Sequence, residues 1–164
     1  MENAADIYHS KMMETLLGSM TQLPIFRSLT EDELKEVARY MFFLEFAENM
    51  TVFREGDSGD YVCFVVEGLL EVTKKAKSGG ITVIAQLVQG HSIGEMSVID
   101  EFQRSATVTA REKSRLVTLT RKNFETLVDQ HPRIGNKMLK GIARSLSMNL
   151  RKTSGQLAEK LPVV

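Results

Sequence analysis

"GEMSVIDEFQRSA" (residues 94–106) is a polar cassette set between apolar, β-branched runs, and its reading decides the fold. Gly94 lets the backbone turn sharply out of the strand region before it. Residues 95–99 can then make a helical turn or two whose first amides have no intrahelical partner and attract an anion. Arg104 returns nine residues after Glu95 with a planar fork that suits two phosphate oxygens. Ser105 can add a hydroxyl to the same anion, and small Ala106 keeps the following strand close. Glu95 is a poor phosphate ligand, because like charges ~4 Å apart cost about 4 kcal/mol at an effective dielectric of 20. A carboxylate wants a donor such as a ribose hydroxyl, so the pattern calls for phosphate and ribose in one compact ligand. An ion pair between Glu95 and Arg104 that merely braces the fold is the open alternative.

Outward from the cassette, residues 42–120 are short runs rich in Val, Ile, Phe and Thr at the turn spacing of sandwiches and barrels. Strands are expected at 42–46, 50–54, 61–66, 69–75, 81–88, 105–110 and 116–119. Turns are expected at Glu55-Gly56-Asp57, Ser58-Gly59-Asp60, Glu67-Gly68 and Ser78-Gly79-Gly80, where glycine supplies positive φ. Upstream, "LTEDEL" (residues 29–34) is a helix start, with Thr30 as cap, Glu33 closing the capping box and Leu29 stapled to Leu34. That helix turns Leu34, Val37, Ala38 and Met41 inward. Residues 1–20 carry Ile7, Tyr8, Met12, Met13, Leu16, Leu17 and Met20 at helical spacing, a stripe for the core or for a partner.

After Thr120 the helical period returns with Phe124, Leu127 and Val128. Pro132 belongs in a first helical turn, so it starts a second helix over about 132–154, with Gly155 as its stop. Ile134, Met138, Ile142, Leu146 and Leu150 are expected to face an apolar surface. The fold class is therefore α+β, an antiparallel β-roll (a jelly-roll-like barrel) flanked by N-terminal helices and two C-terminal helices.

The 164 residues suffice for one domain, and 21 basic residues balance 21 acidic ones, so no global field collects nucleic acid or anionic membrane. Any anion site is local. The one cysteine, Cys63, lies in an apolar run and reads as a buried, inert thiol. With three histidines, His9, His91 and His131, the chain has no zinc-ligand spacing, and no metal or cofactor is expected. No nucleophile with an adjacent base points to an enzyme. A metal-dependent β-roll enzyme fails for want of a histidine cluster. No apolar segment approaches a membrane span and residues 1–6 lack a signal-peptide pattern, so a reducing cytoplasm is the expected compartment.

"GEMSVIDEFQRSA" resembles the phosphate-binding cassette of the cyclic nucleotide-binding domain family, which includes bacterial catabolite activators and protein kinase regulatory subunits. "FREGDSGDYVCFVVEGLLEV" (residues 53–72) extends the likeness through a Glu-Gly-Asp turn and a strand-Gly-strand unit. The likeness covers roughly residues 23–157, and the chain is expected to be a single domain over 1–164, with N-terminal helices over 1–41, the β-roll over 42–120 and C-terminal helices over 121–161. The resemblance gives Glu95 the ribose 2′-hydroxyl and Arg104 the cyclic phosphate, with Gly94, the Met96 and Ser97 amides, Ser105 and Ala106 completing the cradle. Val72, Ile84 and Ala85 fall where the family walls its pocket, though their spacing alone is that of ordinary core. Ile93 stands where phenylalanine is common, and His91 where aspartate is frequent.

Ser105 resembles the activators and leans toward cyclic AMP over cyclic GMP, since relatives that favour cyclic GMP often carry threonine there. Aligned with the activators' last helix, Asn149 is placed at the adenine edge, which its amide suits as donor and acceptor; a solvated helix residue is the plainer reading. No helix-turn-helix segment follows, so a stand-alone sensor without direct DNA binding is expected. It would move its C-terminal helices and pass the signal to a downstream protein. Leu139, Ile142, Leu146 and Leu150 can pair with a second copy or pack as a lid on their own chain. A degenerate interaction module that binds no nucleotide is the competing expectation.

Overall fold

The computed structural model describes residues 4–76 and 79–159, with side chains from residue 13 onward. Ile7, Tyr8 and Met12 of the apolar stripe therefore lie outside the described side chains, and Ser78 and residues 160–161 outside the described residues. The chain opens with α1 (Ala4–Thr21), a 3-10 turn (Pro24–Phe26) and α2 (Glu31–Ala38). Among the described residues eight strands follow: β1 (Met41–Phe46), β2 (Thr51–Phe53), β3 (Tyr61–Glu67), β4 (Leu70–Lys75), β5 (Ile81–Leu87), β6 (Ser92–Ile93), β7 (Thr107–Ala110) and β8 (Ser114–Thr120). A second 3-10 turn (Glu95–Val98) separates β6 from β7, and α3 (Arg121–Gln130) and α4 (Pro132–Ala158) close the chain.

The strands make two four-stranded antiparallel sheets, ordered β1-β8-β3-β6 and β2-β7-β4-β5. The expected α+β roll is present. Its layers explain why β3 reads as an unbroken apolar run: both of its faces are buried. Val62 and Phe64 pack toward the helices with Met20, Phe26, Val37, Leu127 and Met138. Cys63 and Val65 pack between the sheets with Val52, Phe53, Leu70, Val72 and Val108. Burial pushes the Cys63 thiol up to about 12, as an inert core cysteine requires.

Local signals hold at the helix starts. The Glu33 N–H donates to Thr30 Oγ1 while the Thr30 N–H donates to Glu33 Oε2, so the capping box is complete. Pro132 opens α4. Three expectations need correction. Gly59 has no positive φ; it is buried between β2 and β3 because a side chain there would strike Ser97 and Arg104. Gly155 does not stop α4, which runs on to Ala158; nothing lies within 4 Å of where its Cβ would be, and an exposed helix tolerates one glycine for about 1 kcal/mol. Leu150 is 68% exposed, whereas Ile134, Met138 and Ile142 are buried. Steps of four residues drift about 40° each around a helix, so residue 150 ends nearly opposite residue 134. Asn149, seven residues after Ile142, comes round to the same side of the helix as Ile142, although it is itself exposed.

Candidate functional site

Gly94 stands at φ 83°, a left-handed conformation that carries the chain out of β6 into the short 3-10 turn. The turn closes on itself: the Ser97 N–H donates to Gly94 O, and the Ile99 and Asp100 amides both donate to Met96 O. Glu95, Ser97 and Val98 are buried, while Met96 is half exposed. The Ser97 amide is thus engaged within the turn, and what Ser97 offers its surroundings is its hydroxyl.

Arg104 is fixed at both backbone atoms to the loop after β2, its N–H donating to Asp57 O and its carbonyl accepting from the Gly56 N–H. The residue is 4% exposed. One terminal nitrogen donates to Ser97 Oγ at 2.9 Å and the other to Tyr61 O at 2.9 Å. The plane lies over the rings of Phe53 and Tyr61, with centroids 4.0 and 4.5 Å away. Ring faces and a carbonyl soften a buried positive charge but do not cancel it. Among the described residues no carboxylate pairs with Arg104, and its buried Nε has no hydrogen-bond partner.

Glu95 is the mirror case, a carboxylate 4% exposed. Asn149 Nδ2 of α4 donates to its Oε1 at 3.0 Å, and Ser145 Oγ lies 3.5 Å from the same oxygen. Burial pushes its carboxyl above the usual range, and hydrogen bonds from its own N–H, Ser145 and Asn149 offset only part of that. The bracing ion pair between Glu95 and Arg104 is not formed; each faces different partners. A folded pKa above the unfolded value means stability is full below pH 4.5 and declines as pH rises through the raised value. Glu95→Gln keeps the shape without the charge. Its melting temperature should exceed wild type by a few degrees above neutrality, what about 1 kcal/mol gives at this size, and the two should converge toward pH 4.

The remaining expected residues are spread around these two. Val72 is buried in register with Ala85 of β5 and Val108 of β7, whereas Ile84 is skipped by the β4–β5 ladder and half exposed. Ser105 is exposed, its carbonyl accepting from Lys74 Nζ at 2.8 Å, and Ala106 is buried. Asn149 is exposed, as a solvated helix residue would be, yet its amide also donates to Glu95. His91 is an exposed turn residue with Nδ1 3.0 Å from Val88 O. Sequence reading missed the Phe53 and Tyr61 rings, Ser145 and Arg121. For the aromatics the only signal was their flanking of the Glu-Gly-Asp turn. Among the described residues no group of three or more His, Cys, Asp or Glu stands where it could hold a metal ion, and no helix is long and apolar enough to cross a membrane.

The chain is similar to known proteins in sequence and in fold. Over 127 residues, 76% of this chain and 8% of the other, the sequence is 34% identical to a lysophospholipase of Neurospora crassa. It is 34% identical over 111 residues, 68% of this chain and 29% of the other, to the cAMP-dependent protein kinase regulatory subunit of Yarrowia lipolytica. The chain thus spans under a third of the length of these relatives. A solved cyclic nucleotide-binding domain from Methylobacillus flagellatus superposes with a TM-score of 0.84 at 28% identity, covering 94% of this chain and 86% of that one. The family described as "Cyclic nucleotide-binding domain" matches residues 43–131, which hold both sheets' strands from β2 to β8 and the whole Glu95–Arg104 cassette, and the chain belongs to that family.

Proposed function

We propose that this chain is a cyclic-nucleotide sensor that takes cyclic AMP ahead of cyclic GMP and reports occupancy through α4. One observation carries the reading: two buried, oppositely charged side chains nine residues apart, neither with an ionic partner among the described residues. Leaving single charges buried costs several kcal/mol, so such a pair is retained for what it meets. Arg104 is suited to a phosphate, which its partnerless Nε can join, and Glu95 to a hydroxyl donor. Gly94, the Met96 amide and Ser105 would line the phosphate; Val72, Ile84 and Ala85 would wall the base. The family membership and the likeness to a kinase regulatory subunit named for cyclic AMP support the ligand class.

The same carboxylate links ligand to helix. A ribose 2′-hydroxyl would donate to Glu95, whose Oε1 already accepts from Asn149. Ligand entry therefore re-sorts the contact that seats α4, and an Asn149 amide released from Glu95 has both a donor and an acceptor to offer adenine. The nucleotide shifts α4 only by its differential affinity for the two arrangements. Met148, Leu150 and Leu157, each more than half exposed near the end of α4, are where a downstream protein or a second copy would read the movement. Calorimetry with cyclic AMP and cyclic GMP tests the proposal: cyclic AMP should bind more tightly, and Glu95→Ala should weaken it. A wild-type chain silent toward both nucleotides would leave the interaction-module reading standing instead.

A further inference from the structure

Arg121 is the first residue of α3, and a cation in a first helical turn runs against the helix dipole. Helix stability does not explain it, since Thr120 already caps α3 by accepting from the Asn123 N–H. Its side chain instead turns back onto three backbone carbonyls of two other segments. Nε donates to Ser97 O at 2.8 Å. One terminal nitrogen donates to Gly59 O at 2.9 Å and to Asp100 O at 2.5 Å. Among the described residues the carboxylate that pairs with it, Glu101, is 3.7 Å away and 92% exposed, so the carbonyls are the main partners.

Two of those carbonyls belong to the residues that wall in Arg104. Ser97 accepts from Arg104 through its hydroxyl and from Arg121 through its carbonyl. Gly59 lies so close to Arg104 that an added Cβ would sit 2.7 Å from its Nε, while the Gly59 carbonyl is held by Arg121. One planar fork thus ties the β2–β3 loop and the cassette together at the sides of the Arg104 slot, a geometry that a lysine's single ammonium cannot reproduce.

We infer that Arg121 is the positioning residue for Arg104: by clamping Gly59 and Ser97 it sets the width of the slot in which the phosphate-binding guanidinium lies. Among the described residues no hydrogen bond joins it to Arg104, so it acts through Gly59 and Ser97. Because the clamp is rooted in α3, it also fixes the cassette to the element that leads into α4.

The ligand half of this inference rests on the cyclic-nucleotide reading; the structural half does not, and two measurements separate them. In protein labelled with nitrogen-15 at arginine Nε, the Arg104 resonance is the one lost in Arg104→Lys, and the Phe53 and Tyr61 rings displace it from the free-arginine position. Arg121→Lys and Arg121→Met should each move that resonance back toward the free position without nucleotide present. By calorimetry, Arg121→Lys should weaken cyclic AMP binding on the order of tenfold in the native background and little in the Arg104→Lys background, the non-additivity of residues that act through one another. An unmoved resonance overturns the inference, as does an equal loss in both backgrounds. If the wild type binds no cyclic nucleotide, the functional reading falls and the resonance alone decides the role of Arg121.

Discussion

Arg104→Ala should weaken cyclic AMP binding by about two to three orders of magnitude, the loss seen when one member of a buried charge pair is truncated. The fold should survive. Removing the side chain leaves Tyr61 O and Ser97 Oγ without a donor, about 1–3 kcal/mol each, and forfeits the contacts with the Phe53 and Tyr61 rings. It also removes a buried cation with no ionic partner, which returns several kcal/mol. These opposing contributions are of similar size, so the melting temperature moves little while binding collapses. In wild type, nucleotide at a hundredfold excess over Kd adds about 2.7 kcal/mol of stability, a rise of roughly 5–10 °C for a chain this size. That rise should vanish in Arg104→Ala. Arg104→Lys should lie between, keeping the charge without the fork. The opposite pattern, a large fall in melting temperature together with a wild type that nucleotide never stabilises, would assign the buried guanidinium to structure alone.

That contrast between charge and partner also marks how far the sequence carries. Features written within a few residues were legible: the Thr30–Glu33 box, the helix start at Pro132, the sharp turn at Gly94 and, to within two residues at either end, every strand but β6. The apolar run over 61–66 was legible as a strand with a buried cysteine, but that both of its faces are covered follows only from the fold, where a central strand has no solvent face to alternate with. What was not legible are pairings fixed by the packing of distant segments. Glu95 and Arg104 lie on one cassette, which invites pairing them, yet the fold separates them by giving one to α4 and the other to β3 and the 3-10 turn. Two-residue β6 is too short to show a period, although Ile93 pairs with Cys63. Gly59 looked like a turn residue because glycine marks both positive φ and close approach, and only coordinates tell which applies. Arg121 was invisible for a related reason: its partners are backbone carbonyls, which have no sequence signature.

Two glycines of α4 extend this to the largest expected effect on stability. Gly141→Ala and Gly155→Ala are the same change in the same helix, and intrinsic propensity favours alanine at both by about 1 kcal/mol. At residue 155 the added methyl meets nothing within 4 Å, so that gain is the whole effect and the variant should melt at or slightly above wild type. At residue 141 the methyl would collide with the carbonyl oxygen of Ile25 and come within 3.1 Å of its carbonyl carbon. Those are backbone atoms of the 3-10 turn Pro24–Phe26, itself anchored by buried Ile25 and Phe26, and they cannot swing aside as a side chain would. Overpacking of this kind costs about 1–3 kcal/mol, which exceeds the propensity gain, so Gly141→Ala should melt several degrees lower. The damage is also directional. Displacing α4 at its seat moves the segment eight residues on, about 12 Å along the axis, where Asn149 holds Glu95. Gly141→Ala should therefore loosen that hydrogen bond, and because the bond offsets part of the cost of burying the carboxylate, its melting temperature should rise more with Glu95→Gln than that of wild type. Equal responses in the two backgrounds would show that the seat of α4 and the buried carboxylate are independent, and that α4 does not carry the signal.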